Sequence, residues 1–165
     1  MVAIAYIGLG SNLANPVQHI LSAIDDIRAM ENCSLKLISR LYETPPVGPQ
    51  DQPNYINAAV KISTSLKPYE LLATLQTIEN QHGRTRETGR WGARTLDLDI
   101  LLYDSIISND PTLTLPHPEL HNRAFVLYPL LDLDKDLEIP TLGKLQPLIK
   151  ALNETPPRII HSSII

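Results

Sequence analysis

Several things are scarce in this 165-residue sequence, and each scarcity excludes something. There is one cysteine, Cys33, so neither an intrachain disulfide nor a thiolate metal cage can form. That single thiol suits a reducing, cytoplasmic setting. No apolar run approaches the ~18–20 residues that span a bilayer, so no membrane partner is expected. The first residues lack the basic region and small-residue cleavage site of a secretory leader, and none is expected. Positive charge is also short. Fourteen Lys and Arg face 18 Asp and Glu, a net charge of −4, so no overall positive field would hold a nucleic acid by counterion release. Aromatic residues are few, with one Trp and one Phe, which makes an aromatic inside a polar loop worth explaining.

What is present is a hydrophobic fraction of 43%, enough to bury a core, in a chain of single-domain length. A single domain over residues 1–165 is expected, with an irregular tail from about Thr155. Fourteen prolines outnumber seven glycines and cluster at 45–53, 111–118 and 156–157. Proline fixes φ and removes a donor, so these are stiffened loops.

The hydrophobic spacing predicts the elements. Residues 2–9 form a short apolar strand. Asn15 then stands as an N-cap before Pro16, and Val17, Ile20, Leu21, Ile24 and Ile27 follow at helical spacing to about residue 31. Residues 35–42 read as one strand with Leu35, Leu37, Ser39 and Leu41 on one side. Residues 43–54 are a proline-rich loop of functional length. Residues 55–64 alternate as a strand. Pro68 opens a helix that buries Leu71, Leu72, Leu75 and Ile78, and Gly83 stops it. Residues 84–94 are a second polar stretch, and 96–103 a further strand. Short helices are expected near 123–131 and around 145–152. Strand–helix–strand twice over is the split βαβ plan: an α+β, ferredoxin-like fold, with an antiparallel sheet, helices on one face and C-terminal additions.

Asp97 and Asp99 carry the clearest chemistry. At i and i+2 in a strand, both carboxylates point to one face, roughly 6.5–7 Å apart along the chain, while Leu96, Leu98 and Ile100 point to the other. Two like charges on a mostly apolar strand repel each other, and a divalent cation relieves this; hard oxygen donors suit Mg²⁺ shared with substrate phosphates. A solvated outer face is the plainer alternative. Four of the eight arginines, Arg84, Arg86, Arg90 and Arg94, fall in the eleven residues before that strand, opposed there only by Glu87. Arginine's planar fork suits phosphate oxygens, so an acidic pair beside such a stretch points to phosphoryl transfer; a solvated basic loop is the alternative. Trp91 lies in the same stretch between Gly89 and Gly92, either as a plug anchored from a loop or as part of a lid. Tyr42 and Tyr55 flank the proline-rich loop, whose stiff amides and carbonyls can read a flat heterocycle or merely connect two strands. His117, held between Pro116 and Pro118, can serve a phosphate or be an ordinary loop residue. No zinc spacing occurs. Gly8-Leu9-Gly10 lacks the third glycine of a dinucleotide fingerprint, and no P-loop is present.

Beyond these residues, the chain resembles a known family. Residues 90–101, RWGARTLDLDIL, are similar to the signature of the 6-hydroxymethyl-7,8-dihydropterin pyrophosphokinases. The resemblance extends over residues 6–13 (YIGLGSNL), residues 44–53 (TPPVGPQDQP), Tyr55, Asn57, Pro116-His117 and residues 122–125 (NRAF). It implies transfer of pyrophosphate from ATP to the hydroxymethyl group of a reduced pterin, with two Mg²⁺ ions and small-molecule partners only. No strong exposed apolar heptad suggests assembly, so a monomer is expected. By the resemblance, Asp97 and Asp99 would hold the metals, Arg84 and Arg94 would contact phosphates, and Trp91 would close over the site. Gln76, Glu79, Ile100, His117 and Arg123 would serve ATP. Thr44, Pro45, Pro46, Val47, Tyr55, Asn57, Trp91 and Phe125 would line the pterin pocket. Two positions depart from the family pattern: Pro118 stands where some members carry an aromatic residue, and Glu87 where a basic one also occurs. A glycosyltransferase or nuclease using the same DxD, and a ligand-binding module without catalysis, are the competing classes; neither requires the stiff loop, the arginine cluster and the acidic pair together.

Overall fold

Three long apolar strands fix the architecture, because each must bury one side and can leave the other to a site. The computed structural model describes residues 2–12, 15–45, 53–83 and 96–161. Strand β1 (Ala3–Ser11) is central. It pairs antiparallel with β4 (Tyr55–Thr64) on one side and with β5 (Asp97–Tyr103) on the other. Along its far edge β4 takes two short partners, β2 (Cys33–Ile38) and β3 (Leu41–Thr44), and β10 (Arg158–His161) adds outside β3. The order is therefore β10-β3-β4-β1-β5, with β2 also beside β4. Two small hairpins, β6–β7 (Ser108–Asp110, Leu113–Leu115) and β8–β9 (Glu138–Ile139, Gly143–Lys144), lie off this sheet.

One face of the sheet is sealed by α1 (Pro16–Arg28) and α2 (Pro68–Gln81). Ala5, Ile7 and Leu9 of β1 meet Ile20, Ile24, Ile27, Leu71, Leu75 and Ile78 there. The helices are tied together where their ends meet. The His82 ring, at the end of α2, lies with Nε2 2.9 Å from Asp26 Oδ2 and Nδ1 2.9 Å from His19 Nδ1. Gly83 stops α2 as expected, at φ +77°. Asn15 does occupy the cap position of α1, but in the left-handed region at φ 65°, with no side-chain cap. Its carbonyl accepts from His19 N instead. Asparagine is suited to that position by its tolerance of positive φ.

The expectation of helices on one face is corrected. Helices α3 (Ala124–Leu133) and α4 (Leu145–Leu152) pack on the opposite face, where Leu127, Leu130 and Leu145 cover Tyr6, Ala59, Leu101 and Leu102. The α3 sequence, AFVLYPLLDL, is apolar almost all round, and such a helix has to be covered wherever it lies. No described helix is long and apolar enough to cross a membrane.

Two further expectations are corrected. Residues 35–42 are not one strand. The register shifts between Leu35 and Leu37, leaving Leu37 exposed, and the chain breaks at fully buried Ser39. The Ser39 hydroxyl accepts from Ala59 N at 2.8 Å and donates to the Arg40 carbonyl, so a side chain stands in for ladder bonds at the break. The tail is not irregular throughout. Arg158 pairs with Glu43 and Ile159 with Tyr42, giving the sheet its outermost strand. Next to it, Asp132 of α3 accepts from Arg40 Nη2 at 2.7 Å and from the Tyr42 hydroxyl at 2.7 Å, which locks α3 to β3. Burial and the neighbouring carboxylate push the Tyr42 phenol far up, so it stays a donor.

Candidate active site

The site lies on the half of the second face that α3 and α4 leave uncovered. There the register puts Asp97 opposite Gly10 and Asp99 opposite Gly8. Both carboxylates therefore leave the sheet away from α1 and α2, while Leu96, Leu98 and Ile100 fill the core behind. A bulge follows: Tyr6 pairs with Leu102 but Ile7 with Ile100. The extra residue, Leu101, turns against Gly8 and ends the polar part of this face with an apolar side chain.

These residues form one side of a cleft of about 1040 Å³. Gly8, Gly10 and Ala59 make its floor. A Cβ on Gly10 would stand 3.2 Å from Asn57 Oδ1, and one on Gly8 3.3 Å from the Leu101 side chain, so glycine keeps the floor low. His117, Arg123 and Phe125 form one wall; Thr44, Pro45, Tyr55 and Asn57 form the other. Asn57 Nδ2 donates to Thr44 Oγ1 at 3.2 Å, which braces that second wall. Fully buried Asn12 donates to the Pro53 carbonyl at 3.2 Å, anchoring the far end of the proline-rich loop to β1.

Asp97 is half-buried and Asp99 exposed. Among the described residues, no three His, Cys, Asp or Glu side chains come together to hold a metal ion. An ion on the acidic pair would thus draw its remaining ligands from water or from a substrate, the habit of Mg²⁺ with phosphates. His117 is held by its main-chain N–H to the Leu101 carbonyl. Its Nδ1 accepts from Glu119 N at 3.2 Å, so the neutral ring carries its proton on Nε2. Burial lowers the His117 pKa most; Asp99 opposes this and Arg123 adds to it. A neutral donor beside two carboxylates and an arginine suits an anionic ligand. Arg123 rests over the Phe125 ring, its guanidinium carbon 5.6 Å from the centroid.

Other residues named from the sequence sit elsewhere. Gln76 is exposed and Glu79 buried, and neither lines the cleft. The Glu79 carboxylate instead accepts from Leu98 N at 2.7 Å, at the outer edge of β5. The Ile100 side chain is in the core and does not line the cleft. Pro46, Val47, Arg84, Trp91 and Arg94 lie outside the described residues. Sequence reasoning missed two parts of the cleft. Gly8 and Gly10, set aside as an incomplete fingerprint, are its floor; glycines at i and i+2 in a strand were the available signal of close approach. Residues 154–158, read as featureless tail, line its mouth.

Comparison with known proteins agrees with this geometry. A model of the family described as 7,8-dihydro-6-hydroxymethylpterin-pyrophosphokinase (HPPK) matches residues 6–135. The chain is 49% identical over 146 residues to the 2-amino-4-hydroxy-6-hydroxymethyldihydropteridine pyrophosphokinase of Haemophilus influenzae, covering 88% of this chain and 91% of that one. It is 44% identical over 151 residues to the Pseudomonas aeruginosa protein of the same name, covering 92% and 93%. Its fold is similar to that of Plasmodium falciparum HPPK-DHPS crystallised with pteroate, with a TM-score of 0.73 at 15% identity. There it covers 92% of this chain but only 42% of the longer Plasmodium chain.

Proposed function

The chain belongs to the 7,8-dihydro-6-hydroxymethylpterin-pyrophosphokinase family, and from that membership we infer how its cleft is used. It transfers the pyrophosphoryl group of ATP to the hydroxymethyl group of 6-hydroxymethyl-7,8-dihydropterin, a step of folate biosynthesis. The observation that carries the reading is the meeting, in one cleft, of the paired carboxylates of β5, a histidine and arginine wall, and a braced polar wall opposite.

Asp97 and Asp99 fit magnesium by their chemistry: two oxygen donors on one strand face, open to the cleft, with no nitrogen or sulfur ligand required. Bound there, two Mg²⁺ ions would neutralise the triphosphate and polarise the phosphorus under attack. The chain's own residues do the positioning. The Nε2–H of His117 and the guanidinium of Arg123 hold phosphate oxygens on the α3 side. Thr44, Pro45, Tyr55 and Asn57 hold the pterin on the β3–β4 side, with Phe125 stacked against its ring once Arg123 engages phosphate. The low glycine floor lets the two substrates approach, so that the alcohol oxygen attacks the β-phosphorus in line with the departing AMP oxygen. In-line transfer needs such alignment and charge neutralisation more than a strong base. By the family resemblance, Pro46 and Val47 would serve the pterin, and Arg84, Trp91 and Arg94 the phosphates and closure over them. Glu79 serves the nucleotide side indirectly, by holding β5. We further read the sheet as ferredoxin-like, since β5-β1-β4-β3 with two α1/α2 crossovers is the order that plan requires. The protein acts as a cytoplasmic monomer on small molecules.

The test is a product assay with ATP, Mg²⁺ and the hydroxymethyl pterin. The expected result is AMP formed in step with pterin pyrophosphate, dependent on both metal and pterin. ADP in its place would overturn the reaction type. No turnover by a folded sample that still binds pterin would make this a binding module.

A further inference from the structure

The family match ends at residue 135, yet the cleft does not. Helix α4 is capped at its end by Asn153, which takes a left-handed conformation at φ 51° and turns the chain out of the helix. Residues 154–158 then run along the mouth of the cleft and line it, from the α3–α4 side to the sheet edge at β3. Pro156 and Pro157 stiffen this crossing, and Pro157 is half-buried. The segment is fastened beyond them. Arg158 and Ile159 pair with Glu43 and Tyr42, and Ile160 packs against the main core. Arg158 Nη1 also reaches Glu43 Oε1 at 3.4 Å, but with its side chain 79% exposed that pair contributes little. Strand pairing and Ile160 hold the segment in place. Glu43 directly precedes Thr44 and Pro45, the wall assigned above to the pterin.

We propose that residues 154–158 form the outer wall of the pterin half of the cleft and set affinity for the pterin without affecting that for ATP. The inference rests on the pyrophosphokinase reading of the site. A rigid diproline crossing gives a flat heterocycle a further apolar surface beside the polar edge made by Thr44 and Asn57. The strand register sets Arg158 beside Glu43, next to Thr44 and Pro45, so the pterin contacts rather than the nucleotide contacts are the ones the crossing should alter. Because it lies outside the stretch that the family model matches, it is a place where this chain's pterin affinity can be set independently of the shared machinery.

Two variants test this: the double substitution Pro156→Gly, Pro157→Gly, which leaves β10 in place, and a chain ending after Asn153. Calorimetric titration follows a non-hydrolysable ATP analogue with Mg²⁺, and then the hydroxymethyl pterin at saturating analogue. The expected result for both variants is a pterin dissociation constant raised about tenfold, the scale of a lost apolar pocket contact, with the analogue's unchanged. In turnover, KM for pterin rises while KM for ATP and kcat hold. Unchanged pterin affinity in the double variant overturns the proposal. So does an equal loss for both ligands, which would mark a general disturbance. If the truncated chain fails to fold, the double variant decides alone. Failure of the unaltered protein to bind pterin would overturn the functional reading itself, and is seen before any variant is made.

Discussion

The two faces of the central sheet share the same strands but are finished differently. On one, Ala5, Ile7, Val60 and Ile62 are wholly buried under two long amphipathic helices. On the other, two shorter helices cover Tyr6, Ala59, Leu101 and Leu102, with Ile4 at the margin, and beyond them lies a floor of glycine and alanine flanked by two aspartates. Successive residues of a strand point to opposite sides, so β1 and β5 serve both purposes without conflict. Leu98 and Ile100 anchor the strand from behind, and Asp97 and Asp99 can then be destabilising to each other in front. Stability is concentrated on the sealed face and chemistry on the open one.

This division makes substitutions on the two faces separable. The largest effect should come from the open face. Asp97→Ala or Asp99→Ala should cut pyrophosphoryl transfer by roughly a hundred- to a thousandfold, the scale of losing one preorganised charge-stabilising group. For Asp99→Ala the melting temperature should hold or rise, because a like-charge repulsion goes with the carboxylate. An AMP assay beside a thermal melt reads both, and turnover retained in either folded variant would break the division. The sealed face should behave the other way. Leu75→Ala, at a wholly buried position, should lower unfolding free energy by about 2–5 kcal/mol while KM for pterin stays unchanged, as denaturant titration and kinetics would show. Gly10→Ala sits between the two. Its Cβ would press on Asn57 Oδ1 at 3.2 Å, and Asn57 braces Thr44, so pterin binding should weaken a few-fold with little change in stability.

The smallest effect is electrostatic. Burial lowers the His117 pKa below the ordinary 6.5, against the pull of Asp99. Asp99→Asn should therefore lower it further, which imidazole NMR would follow. The sign for stability runs with it. As pH falls the unfolded chain takes up this proton first, so His117's contribution is present above 6.5 and is lost as pH drops toward the folded value.

Much of this was legible in the sequence, and the failures have physical causes. Period-two alternation showed β4 and the sidedness of Asp97 and Asp99, because a half-buried strand must separate its two faces. Helical spacing showed α1 and α2, because each buries one stripe. Helix α3 is apolar almost all round and leaves none of its residues exposed, so its spacing did not say which face it covers. The break at Ser39 depends on one hydroxyl bonding across to Ala59, a long-range contact with no local pattern. Strand β10 is only four residues long and forms because β3 offers an edge. Asp132, which joins Arg40 and Tyr42 at a sequence distance of about ninety residues, was equally invisible. In the site, residue type pointed to the acidic pair, but not to Glu79's inward turn toward Leu98.

That turn bears on the border of the sheet. Strand β5 borders the sheet, and an unpaired border amide invites pairing with another chain. The Leu98 amide, between the two aspartates, is occupied by a carboxylate from the protein's own α2. At the opposite border the exposed strand is four residues long, and β2 carries a register shift with Lys36 at its middle. A sheet that keeps one face open for its substrates thus has, among the described residues, an occupied amide at one border and a short strand at the other.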